Sequence, residues 1–109
     1  MTDPNLFPGN RAASVGANET ITVGGNRTVS VGGNDVSSVV GVQQVTVGKK
    51  FLLEAADEID LRVGSARLLM RKDGTIILTG HNITIQATSK INIKSSGDVI
   101  IKGSKVVQN

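Results

Sequence analysis

A period of eight residues constrains this chain more than any other feature. Val15-Gly-Ala-Asn, Val23-Gly-Gly-Asn and Val31-Gly-Gly-Asn recur at that spacing, and fixed-period self-similarity marks repeat architectures. Stepping by eight from Ile21 passes through Val29, Ser37, Val45, Leu53, Leu61, Leu69, Ile77, Ile85, Ile93 and Ile101, where only Ser37 is polar. A second column lies two residues later (Val23, Val31, Val39, Val47, Ala55, Val63), and a third, two residues before the first, becomes apolar late (Ile83, Ile91, Val99, Val107). Ile21-Thr22-Val23 and Ile91-Asn92-Ile93 show the motif inside each repeat, β-branched residues alternating with polar ones, which is a strand signal. Because eight is even, the same face stays inward from repeat to repeat. The Gly and Asn after many strands are expected to supply the unusual backbone angles of a corner.

Eight residues at about 3.3 Å each give a path of roughly 26 Å, too short to close a turn around a core of its own side chains. One chain needs three octads per turn; alternatively, three chains each contribute one. The uniform columns favour three chains, because each octad then meets its own copies around the axis. Interleaving also pairs exposed strand edges, and repeats this thin cannot bury their apolar face alone. The expected fold is all-β, an intertwined homotrimeric triple-stranded β-helix (β-prism) of octapeptide repeats. Residues 1–12 would form an N-terminal linker and residues 13–109 the repeat array. The expected core columns comprise Val15, Ile21, Val23, Val29, Val31, Val39, Val45, Val47, Leu53, Leu61, Val63, Ile83, Ile85, Ile91, Ile93, Val99 and Ile101.

Composition narrows the function. The 109 residues include no Cys, Trp or Tyr, two Phe and one His, so no cofactor is expected, and neither a disulfide framework nor a single-chain metal site can be built. The net charge is +3, with Lys90, Lys94, Lys102 and Lys105 against Asp98 in the last 24 residues. Nucleic-acid binding normally adds stacking aromatics or a dense Arg patch, so no nucleic-acid partner is expected. No apolar run approaches the roughly 20 residues of a membrane span, and the start, Met1-Thr2-Asp3-Pro4, lacks a signal peptide's regions.

The octad slips in two places. Leu52, Ala56, Ile59, Val63, Ala66 and Met70 follow spacings of four and three, a helical pattern. Gly64 and the uninterrupted octad column favour strand. Between Arg67 and Leu78, an inward Leu69 would carry Arg67 and Arg71 inward, where unpaired charge is costly. Leu68 and Met70, followed by Ile76 and Leu78, are therefore expected inward, with both arginines outside. That choice needs one-residue phase shifts after Gly64-Ser65 and near Gly80, as at bulges. Asp73-Gly74 is a tight-turn signal.

Glu54, Asp57, Glu58 and Asp60 form the one carboxylate cluster. Without a partner His or nucleophile motif it reads as a solvated face, and the chain as not an enzyme. His81 follows Gly80 and is expected outside. The sequons Asn18-Glu-Thr20, Asn26-Arg-Thr28 and Asn82-Ile-Thr84 read as corner Asn plus outward Thr. Ser37, Thr79 and Ser95 interrupt the inward columns, either holding axial water or as tolerated defects.

Val23-Gly-Gly-Asn-Arg-Thr-Val-Ser-Val31-Gly-Gly-Asn, Phe51-Leu-Leu-Glu-Ala through Lys72-Asp-Gly-Thr-Ile76, and Gly80-His-Asn-Ile-Thr-Ile85 to Lys102-Gly-Ser-Lys105 resemble the valine-glycine repeats of VgrG, the type VI secretion spike. The resemblance runs from about Phe7 to Asn109. It implies a triple-stranded β-helix similar to phage cell-puncturing needles, detached from the family's larger N-terminal spike-base and OB-fold domains and Hcp tube. It further implies a blunt C-terminal end (Lys102, Gly103, Ser104, Lys105, Val106, Val107, Gln108 and Asn109) that seats a PAAR-repeat tip protein. Effectors would ride on the shaft or tip, and the spike would be assembled in the bacterial cytoplasm and exported by the type VI machine. The alternative is a phage tail-spike or fibre segment that penetrates or binds a host surface.

Overall fold

A computed structural model of the chain describes residues 9–109. The expected linker, residues 1–12, falls mostly outside the described residues. The chain divides into two units, Met1–Val45 and Thr46–Asn109, and the division passes through the octads. In both units the repeat is visible as backbone punctuation. Bends fall at 16–17, 24–25, 32–33, 40–41, 48–49 and 56–57, then at 88–89, 96–97 and 104. The segments between them have no strand partner. Through residues 12–56 and 80–109, no backbone N–H of the described residues donates to another backbone carbonyl. A one-chain solenoid would stack every third octad and pair these groups, and no such pairing is present among the described residues.

The second unit also holds the chain's sheet, an antiparallel meander of β1 (Glu58–Val63), β2 (Ala66–Arg71) and β3 (Ile76–Thr79) in the order β1-β2-β3. This excludes the helical reading of residues 50–71. The meander occupies the place of three octads, and its reversals at 64–65 and 72–74 fall where octad corners are due. Backbone conformation separates the two kinds of corner. Gly64 has φ +55° and Gly74 φ +90°, whereas every other described glycine has negative or extended φ. Gly64-Ser65 is a two-residue loop with positive φ at its first position only, as in type II′ hairpins, so the expected bulge is a full reversal. At the second, Gly74 N donates to Arg71 O at 3.0 Å, Arg71 N to Thr75 O at 3.0 Å, and Thr75 N to Asp73 Oδ1 at 3.0 Å. A tight turn closed by a left-handed glycine makes a three-residue hairpin loop. The expectation of unusual angles at the octad corners is overturned. Gly24, Gly25, Gly32, Gly33, Gly41 and Gly48 lie outside the left-handed region, and nothing within the chain lies within 4 Å of where a Cβ would sit.

The first loop explains the phase slip. A two-residue loop pairs odd with even positions, Leu61 with Leu68 and Asp60 with Leu69, so the octad column changes face between Leu61 and Leu69. The second loop preserves parity, pairing Leu68 with Leu78 and Met70 with Ile76. One face of the sheet is therefore wholly apolar: Ile59, Leu61, Val63, Ala66, Leu68, Met70, Ile76 and Leu78. The other carries Glu58, Asp60, Arg62, Arg67, Arg71 and Thr79 around Leu69 and Ile77. Leu68, Met70, Ile76 and Leu78 share a face as expected, opposite Arg67 and Arg71. The buried residue is nevertheless Leu69, 1% exposed and the sole buried hydrophobic among the described residues. It sits at the centre of the middle strand with long charged side chains around it, whose stems cover apolar surface. Thr79, expected inward, lies on the charged face opposite Arg67.

Candidate functional site

The octad columns are the first candidate surface, and within the single chain they are open. Val15, Val23, Val31, Val39 and Val47 are 46–53% exposed, and Ile21, Val29, Val45, Leu53, Ile85, Ile93 and Ile101 58–69%. Ile83, Ile91 and Val99 are 50–51% exposed. The spread is narrow in the octads on either side of the meander, which present these apolar residues in similar surroundings. Within the meander, by contrast, Leu61, Leu69 and Ile77 are 52%, 1% and 38% exposed and Val63 81%, and Val107 near the end is 72% exposed. The chain's accessible surface is 11819 Å² at a mass of 11.3 kDa, about twice the roughly 5700 Å² of a compact monomer of that mass. Side chains in columns beside unpaired backbone cannot form a core from one chain.

The second candidate surface is the meander. On its charged face Arg67 grips Asp60 with two parallel bonds, Nε to Oδ1 at 3.0 Å and Nη2 to Oδ2 at 3.0 Å, and Arg62 Nε donates to Oδ2 at 2.8 Å. Glu58 lies 3.9 Å from Arg67. The hydrogen bond from Arg62, then that from Arg67, lowers the Asp60 pKa from the ordinary 3.8 to about 2, and Asp60 in turn raises the Arg62 pKa. Asp73 is also lowered, chiefly by the Thr75 backbone N–H. Glu58 and Asp60, two of the four clustered carboxylates, are thus engaged by arginines on an open surface. Leu61, Val63, Ala66, Leu68 and Leu78 of the apolar face, together with Asp60, Arg62 and Arg67, line a shallow concavity of about 440 Å³.

The third candidate, residues 102–109, is exposed throughout, with a bend at Ser104. His81 and the three sequons are exposed in the single chain. Ser95 Oγ accepts from Gly97 N at 3.2 Å, so the hydroxyl braces the bend. Among the described residues, no group of three or more His, Cys, Asp and Glu stands close enough to hold a metal ion, and no helix is long and apolar enough to cross a membrane. Two features escape a reading by period. The Asp60–Arg62–Arg67 network depends on cross-strand register, and Val36, Val40 and Val42 are 86–107% exposed at positions where neighbouring octads carry Gly, Asn, Thr or Gln.

Residues 17–41 match the family described as "Gp5 C-terminal repeat (3 copies)". This stretch spans the regular bends and half-exposed valines of the first unit. A stretch of 59 residues is 45% identical to the type VI secretion system spike protein VgrG1b of Pseudomonas aeruginosa (strain PAO1). The chain resembles the C-terminal β-helix region of VgrG- and Gp5-type spikes. The match covers 54% of this chain and 8% of that relative, so the chain corresponds to a small part of the relative it matches.

Proposed function

We propose that this chain is a segment of the shaft of a homotrimeric puncturing spike and acts mechanically, without catalysis. The observation that carries the reading is the coincidence of half-exposed apolar columns with unpaired backbone along the same octads. Three copies wound about a common axis meet both needs at once, columns against columns and each strand edge against a neighbour's. The surface in excess of a compact monomer is on the order of 6000 Å², the scale of obligate interfaces. Burying the remaining half of a Val or Ile contributes about 1 kcal/mol, so the sum over the columns is large.

The mechanism follows from that geometry. In an interleaved rod, axial load is spread over many lateral hydrogen bonds loaded together, and no chain leaves without unwinding from the other two. Such a shaft transmits thrust from a contracting sheath through a membrane. By its resemblance to VgrG-type spikes, the segment 102–109, with Val106 and Val107 exposed, is the place of a PAAR-type tip and of the effectors it carries. The relative's role as a type VI spike supports export by that machine. The decisive experiment is molar mass in solution by light scattering after size exclusion. Three times the 11.3 kDa chain is expected; a clean monomer at micromolar concentration overturns the proposal.

A further inference from the structure

We infer that the apolar face of the meander docks against the same face of two further copies of this chain and sets the axial register of the assembly. The inference rests on the trimeric reading above and goes beyond it. Octads are largely interchangeable: away from the meander, sliding one chain by eight residues places column residues against column residues again, with losses at the ends and at polar interruptions such as Ser37 and Ser95. A repeat array therefore specifies its partners' alignment weakly. The meander is the one segment among the described residues that does not repeat. Its strands pair within one chain, so beside the outer edges of β1 and β3 it offers neighbours a broad face that no octad has.

Three observations identify a second copy as the occupant. Leu61 and Val63 belong both to the octad columns and to the apolar face, so the surface that joins octads continues onto it. Val63, Ile76 and Leu78 are 81%, 69% and 57% exposed, and a contiguous apolar surface spanning three strands marks an interaction site. The opposite face supplies its own counter-charges through Arg67 and Asp60 and needs no partner. Slipping one chain by an octad sets its apolar face against an octad corner and leaves part of two faces in water. One non-repeating layer then discriminates among registers, as a single distinctive position does in a coiled coil.

The test uses the full chain, which has no native cysteine. Ser89→Cys, at an exposed bend, is spin-labelled, and distances between labels are measured in the assembled state beside molar mass. The parent should give a trimer with a single narrow distance, as three equivalent sites require. Leu68→Asp should keep the trimer through the octads and add a second, longer distance from slipped copies, while Arg71→Gln on the charged face should leave the single distance. If Leu68→Asp prevents assembly, Leu68→Ala is measured in the same way. A trimer whose distance stays single and narrow in the Leu68 variant overturns the inference and leaves the trimeric shaft standing. A monomeric parent overturns the shaft reading, and the inference with it.

Discussion

The octads and the meander are built from the same repeat length but satisfy their backbone in opposite ways. Each octad bends onward at its corner, with any glycine there at ordinary φ, and leaves its backbone hydrogen-bonding groups unpaired within the chain. The meander turns back at the same corner positions, through Gly64 and Gly74 at positive φ, and pairs its strands internally. The difference teaches that corner conformation, more than strand composition, decides whether a repeat pairs within the chain or is left open. Ile59-Asp60-Leu61 and Ile91-Asn92-Ile93 are equally good alternating strands. The first has a reversing glycine three residues on, and the second does not.

The comparison breaks most decisively at a column. Ile85→Asp places one unpaired charge per chain where three copies converge, and burying a lone charge costs several kcal/mol or more per ion. The expected outcome is loss of the trimer by light scattering, whereas Asp at the outward Thr84 leaves it intact. Next in size is Gly74→Val, which forces a β-branched side chain into φ +90° at a cost on the order of 1–3 kcal/mol. Hydrogen exchange of the β2–β3 amides should accelerate while octad amides keep the parent's rates. Gly24→Ala makes the complementary case. Its φ is ordinary, the chain leaves room for a Cβ, and Val40 already occupies the equivalent position, so the change in thermal midpoint should reflect no more than about 0.5 kcal/mol.

The smallest expected effect is on pH dependence. The Asp60 carboxyl is depressed in the folded chain to about 2 from 3.8, so its contribution is present above the unfolded value and fades as pH falls from near 4 through about 2. The pair network is exposed, and surface ion pairs contribute little. β1–β2 amide protection should decline modestly across that window in the parent and stay flatter in Asp60→Asn; a variant with the parent's full decline would assign the acid sensitivity elsewhere.

The octad array was legible because period eight with β-branched alternation needs no three-dimensional information, and the bends appear at that period. Asp73-Gly74 was legible for a local reason, since Asp73 caps Thr75 N–H and glycine takes the left-handed angle. Gly64-Ser65 read as a bulge because bulges and reversals both call for glycine, and only cross-strand pairing distinguishes them. Leu69 lies on the face of Arg67 and Arg71 as parity implies, but its burial was not legible, because parity does not say that arginine stems cover it. The corner glycines of the octads were given a conformational role that they do not have.

The near-constant exposure along the columns on either side of the meander has a consequence for how such a chain changes over time. Duplicating eight codons inserts a unit whose surroundings already exist on either side, so length can drift without redesign of any neighbour. A duplication inside residues 58–79 enjoys no such freedom, because it changes which side chains share a face. Variants of differing reach should therefore gain and lose whole octads on either side of a meander of fixed size.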